Sequence, residues 1–125
     1  MPAQRILIAT ALAVTLIGTV AASSTARAVG VHISPGSGGG VIVSGYAPKR
    51  ESFNITFDAD RCAATFSAES RRSVSSFGDK VKGSYSYTFG PGNYQANVAN
   101  YACVYIRTLS QLHPRTVATA FAPLG

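Results

Sequence analysis

Two stretches of this chain, Ser52-Phe53-Asn54-Ile55-Thr56-Phe57 and Ser84-Tyr85-Ser86-Tyr87-Thr88-Phe89, alternate polar and apolar residues without a break. A period of two puts Phe53, Ile55 and Phe57 on one face and Tyr85, Tyr87 and Phe89 on another, so each stretch is a strand with one face buried. A helix would scatter these side chains around its axis. Further strand candidates lie at 29–33, 41–46, 62–67, 93–98, 101–108 and 116–122. The segment 62–67 is the expected hairpin partner of 52–57.

Turn signals divide these candidates. Ser34-Pro35-Gly36-Ser37-Gly38-Gly39-Gly40 is a Gly-rich turn with no following helix and no Gly-Lys-Ser/Thr, so it lacks what a phosphate-binding loop needs. Residues 47–51 read as a turn through Pro48, residues 58–61 as a polar turn, and residues 109–115 as an open loop that Pro114 keeps out of any central strand. Residues 68–83 mix Glu69, Arg71, Arg72, Asp79, Lys80 and Lys82 with serines, and read as a loop across one end of the domain. The expected fold is an all-β, Greek-key sandwich of about seven strands, occupying residues 29–125.

Residues 1–28 have the parts of a cleavable signal peptide: Arg5 near the amino terminus, an uncharged run over 6–22, and the small-x-small ending Ala26-Arg27-Ala28. Cleavage is expected after Ala28, leaving no stable transmembrane span and a product that is secreted or associated with the cell envelope. Export suits the two cysteines, Cys62 and Cys103, which an oxidising compartment would allow to pair. Strict alternation from an inward Tyr94 puts Asn100 inward and Cys103 outward. A buried bridge is therefore expected to need a phase change near 99–100, by a bulge or a bend.

Gly40-Val41-Ile42-Val43-Ser44-Gly45-Tyr46-Ala47-Pro48, followed by Glu51-Ser52-Phe53-Asn54-Ile55-Thr56-Phe57, resembles the strand–turn–strand pattern of immunoglobulin-like modules in secreted actinobacterial proteins. Gly90-Pro91-Gly92-Asn93-Tyr94 is similar to the turn that precedes a late strand in those modules. The resemblance implies the sandwich fold and makes Tyr94 a candidate corner tyrosine, its hydroxyl bonded to nearby backbone. The chain departs from antibody-type domains in having no Trp, and Cys103 is not placed as their second cysteine is. A fainter likeness is to the apoproteins of enediyne antibiotics, small secreted sandwiches with a ligand cleft and two disulfides.

The chemistry-bearing residues are sparse. His32 and His113 are the only histidines, and there is no nucleophile elbow, His-Glu-x-x-His or zinc-spaced cysteine set. Asp58 and Asp60 read as a turn held by carboxylates rather than a calcium loop. No enzymatic activity, metal or cofactor is expected. Residues 29–125 carry nine Lys and Arg against five Asp and Glu, a formal +4, with the cations scattered over several turns and without the aromatic-interleaved stripe that nucleic acid would require. This charge fits attraction to anionic envelope material instead. The expected function is that of a non-enzymatic module binding a protein, glycan or envelope component through end loops, with Arg71, Arg72, Ser110, Gln111, His113 and Arg115 as candidate contacts. The alternative is a small-ligand carrier or inhibitor, which requires an aromatic cleft or a protruding rigid loop.

Overall fold

A computed structural model describes residues 27–71 and 73–124; most of the leader therefore lies outside the described residues. The described residues are all-β and antiparallel, with strands β1 (Gly30–Pro35), β2 (Val41–Asp58), β3 (Ser75–Phe89), β4 (Tyr101–Arg107) and β5 (Thr116–Pro123), and a short helix, α1 (Phe66–Ser70). Single 3-10 turns occur at Ser37–Gly39 and Pro91–Asn93.

β2 is the spine. The two strands expected at 41–46 and 52–57 are halves of one strand, and the turn expected at 47–51 is a bulge inside it. The pairing with β3 runs from Val41↔Phe89 to Ala47↔Gly83, shifts register, and resumes from Glu51↔Val81 to Phe57↔Ser75. Pro48 falls in the gap, where no ladder hydrogen bond is asked of it. Gly83 on the facing strand has φ +75, a conformation that suits glycine. Because the extra residues keep Ala47 and Glu51 on one face, the inward set continues through the bend.

On its other edge β2 pairs first with β1, over Val41–Tyr46, and then with β4, over Ser52–Asp58. β5 extends the sheet beyond β4. The sheet therefore curls, and its concave side closes on Val43, Phe53, Ile55, Phe57, Val81, Ala102, Val104 and Ile106, all nearly or fully buried. Among the described residues five strands form where about seven were expected.

β4 is buried on both faces from Ala102 to Ile106. Ala102, Val104 and Ile106 join the core, while Cys103 and Tyr105 point the other way and are covered by the segment leading through α1. Cys62 and Cys103 form a disulfide, so this segment is fastened to β4. The Tyr105 hydroxyl donates to the Ala63 carbonyl at 2.7 Å, and buried Glu69 accepts the Ala63 N–H at 2.6 Å. The Thr65 hydroxyl accepts from the Ala68 N–H and caps α1. Residues 62–67 are thus no hairpin strand: β3 and β4 already occupy both edges of this half of β2. No phase change is required for the bridge either, since a second layer buries the outward Cys103.

The strand expected at 93–98 is instead a tight turn, with Gln95 at φ 53 and its carbonyl accepting from Val98 and Ala99. Val98, expected inward, is 43% exposed. Tyr94 is buried and stacks on Phe57 at 4.6 Å between centroids. Its hydroxyl donates to the Gly39 carbonyl at 2.7 Å, far upstream in sequence, which replaces the local bond of a corner tyrosine. Residues 75–83, read as loop, are the first part of β3.

The bridge closes a long loop, with a sequence separation of 41. In the chain-entropy picture it contributes about 4 kcal/mol. Replacing both Cys62 and Cys103 by Ser should lower urea-unfolding stability by roughly that amount, with little change in folded circular dichroism. An unchanged midpoint would contradict the pinning role.

Candidate functional site

The β-ladder register gathers side chains that are far apart in sequence. Lys80 pairs with Ser52 and Ser52 with Arg107, so one row across three strands carries two cations on the convex face. The β2 bulge, with Lys49 and Arg50 exposed, faces Lys82 at the same end. Arg107 leads directly into the β4–β5 loop, which contains His113 and Arg115. This end of the sheet is thereby a basic rim.

Internal hydrogen bonds close the loop. The Thr108 N–H donates to the Arg115 carbonyl and the Arg115 N–H to the Thr108 hydroxyl, both at 2.9 Å, and the His113 N–H donates to the Ser110 hydroxyl at 3.0 Å. The loop so closed holds Leu112 83% exposed and Leu109 40% exposed. Leu112 has no core to join. Of the expected contacts, Ser110, Gln111, His113 and Arg115 are exposed together here. Arg71 is exposed at the C-terminal end of α1, the helix whose first residue, Phe66, lies 4.4 Å beneath the Arg107 guanidinium. Arg72 lies outside the described residues. Leu109, Lys80 and Arg107 were missed, and Leu112 fell within the candidate span 110–115 without being singled out. Pro114 places Leu112 in a loop, which was the available signal for it; the Lys80–Arg107 row becomes visible only once register is known.

A shallow concavity of about 510 Å³, lined by Arg50, Ser52, Asn54, Gly78, Asp79 and Lys80, adjoins the rim. Asp79 is its acidic member and is already engaged: it accepts the Tyr87 hydroxyl at 2.5 Å and the Lys80 N–H at 2.8 Å. The Tyr87 bond, then the Lys80 N–H and the nearby Lys80 and Arg50 charges, hold its carboxyl below the usual range.

A second concave feature opens beside β3. The curl brings Phe77 to 5.5 Å from Tyr87 and 5.7 Å from Phe89, centroid to centroid, and Phe53 stacks on Tyr87 at 4.5 Å. Phe57, Ser76, Phe77, Tyr87, Thr88, Phe89 and Asn93 line a groove of about 340 Å³ there. Tyr85 and Tyr87, expected in the core, are half-buried, and of the two only Tyr87 lines this groove. Tyr85 crosses Gly45 to donate to the Gly30 carbonyl at 3.1 Å. Burial pushes its hydroxyl up to about 12; burial, then the bond to Asp79 and that group's charge, raises Tyr87 further.

Among the described residues, no group of three or more His, Cys, Asp or Glu side chains could hold a metal ion. No described helix is long and apolar enough to cross a membrane. No family model matches the chain, and neither the curated proteins nor the solved structures contain a significant match. The functional reading therefore rests on the geometry of this end of the sheet.

Two outcomes follow. A Cβ at Gly45 would overlap the Gly30 carbonyl oxygen and the Tyr85 hydroxyl, so Gly45→Ala should cost about 2–3 kcal/mol by thermal or urea unfolding; a neutral substitution would contradict the crossing. Tyr85 retains its proton in the folded chain above the ordinary value of 10.0, so its contribution to stability is full below pH 10 and is lost as pH rises towards about 12. Tyrosinate absorbance should show a late-titrating fraction and alkaline unfolding above pH 10, a fraction that Tyr85→Phe reduces.

Proposed function

We propose that the chain is an exported, non-enzymatic binding module of immunoglobulin-like β architecture that docks on the anionic surface of the cell envelope. Residues 1–28 serve as its leader, and the mature domain is secreted or held at the envelope. The disulfide, and the lack of a membrane-length apolar helix among the described residues, are compatible with that location. The observation that carries the reading is Leu112, held 83% exposed on a self-bonded loop beside Arg115, at the sheet end that also carries Lys49, Arg50, Lys80, Lys82 and Arg107. Cations draw the domain to a negative surface, each contributing about 1 kcal/mol near it, and an apolar tip adds burial at the headgroup boundary.

A second reading, a carrier of a small apolar ligand, is favoured by the groove between Phe77, Tyr87 and Phe89. Its volume of about 340 Å³ is near the lower bound for such sites.

Sedimentation of the protein, produced with its own leader, against phosphatidylglycerol and phosphatidylcholine vesicles tests the first reading. Binding should favour the anionic vesicles and weaken with added salt. Leu112→Ser should reduce it about tenfold and Arg115→Ala about fivefold. Soluble polyphosphate separates the two anionic sources: retention on it that Leu112→Ser leaves intact identifies an envelope polymer rather than lipid. Failure to bind either material at low salt would overturn the proposal.

A further inference from the structure

β3 is an edge strand along its 15 residues: among the described elements it pairs with β2 alone. Its two halves are guarded differently. The first half carries Gly78, Asp79, Lys80 and Lys82, the charges and glycine by which sheets discourage another chain from adding on. Past Gly83 the residues 84–89, Ser-Tyr-Ser-Tyr-Thr-Phe, have no charge, proline or glycine, and combine high strand propensity with an open edge. Ser84, Ser86 and Thr88 are exposed on the convex side, and Tyr85 and Tyr87 are half-buried on the concave side.

We infer that residues 84–89 form a self-pairing edge, joining two copies of this chain into one continuous antiparallel sheet about a two-fold axis through Ser86. Opposed residues in an antiparallel ladder share a face, so the axis must pass through a residue for the concave faces to match. Through Ser86, that residue meets its own copy, Ser84 meets Thr88, and each Tyr85 meets a Tyr87 of the second copy. Aromatic pairs of this kind stabilise sheets, and no two like charges are opposed. Lys82 falls opposite Gly90. An axis through Tyr87 would instead set each Tyr85 against Phe89, a ring already buried against Phe57 and Phe77. The contact is isologous and closes at two copies, and its small size makes it weak.

Engineered cysteines read this register directly, because opposed residues on one face lie within disulfide reach. The protein produced with its own leader is examined as Ser86→Cys, as Thr88→Cys, and as a mixture of Ser84→Cys with Thr88→Cys, under mild oxidation and non-reducing electrophoresis. Ser86→Cys should yield a covalent dimer, Thr88→Cys alone should yield none, and the mixture should yield the mixed dimer. Sedimentation of the unaltered protein from micromolar to millimolar concentration should show monomer passing to dimer, and Ser86→Lys should keep it monomeric while folded by circular dichroism. A monomer at every concentration, with Ser86→Cys cross-linking no better than Thr88→Cys, overturns the inference and leaves the edge to a strand from a different protein or to none. A dimer that Ser86→Lys leaves intact, with the same flat cross-linking, places the interface elsewhere and overturns it equally.

Discussion

The backbone pairing that β2 keeps on either side of its own bend is the constraint from which the rest of the structure follows. One strand of 18 residues serves β1, β3 and β4 at once, and the register shift at 47–51 lets it turn without exchanging its faces. Had the bulge reversed the alternation, Phe53, Ile55 and Phe57 would face solvent while Val41 and Val43 faced inward, and no common core would form. The curl places the first part of β3 over the second, which builds the aromatic mouth, and sets the bulge, Lys80 and Arg107 at one end. Fold and candidate site thus share a single cause.

The outer layer is a second, smaller solution to burial. β4 carries large side chains on both faces, and a curled sheet covers only one of them. The Cys62–Cys103 bridge, the Tyr105 hydroxyl on Ala63 and buried Glu69 hold a short polar segment over the other. A domain of this size has a small core, so a cross-link that also supplies a lid acts on stability and on burial together.

Sequence alone was informative where side chains decide the outcome and misleading where backbone pairing does. The alternation at 52–57 and 84–89 identified the inward Phe53, Ile55, Phe57 and Phe89 correctly, because burial selects those residues directly. Pro48 beside Lys49 and Arg50 is a local turn signal, yet in a bulge the missing N–H costs nothing. Residues 75–83 look like a loop in composition, but an edge strand tolerates serine, glycine and charge because its ladder with β2 supplies the pairing. Residues 62–67 lost their expected partner through competition for a strand edge, a non-local effect that no window of sequence contains. At the candidate site, Arg115 and His113 were legible as loop residues. So was Leu112, although leucine identity usually signals core and hides a surface role, whereas the alignment of Lys80 with Arg107 depends on register across three strands.

Cross-strand nuclear Overhauser effects tested for both halves of β2 in one sample probe the bent spine most directly. The account predicts contacts between Val43 and Tyr87 and between Ile55 and Phe77, together with ring contacts from Phe77 to Tyr87 and Phe89 across the curl. Contacts pairing residues 62–67 with 52–57, with Phe77 remote from Tyr87, would contradict it.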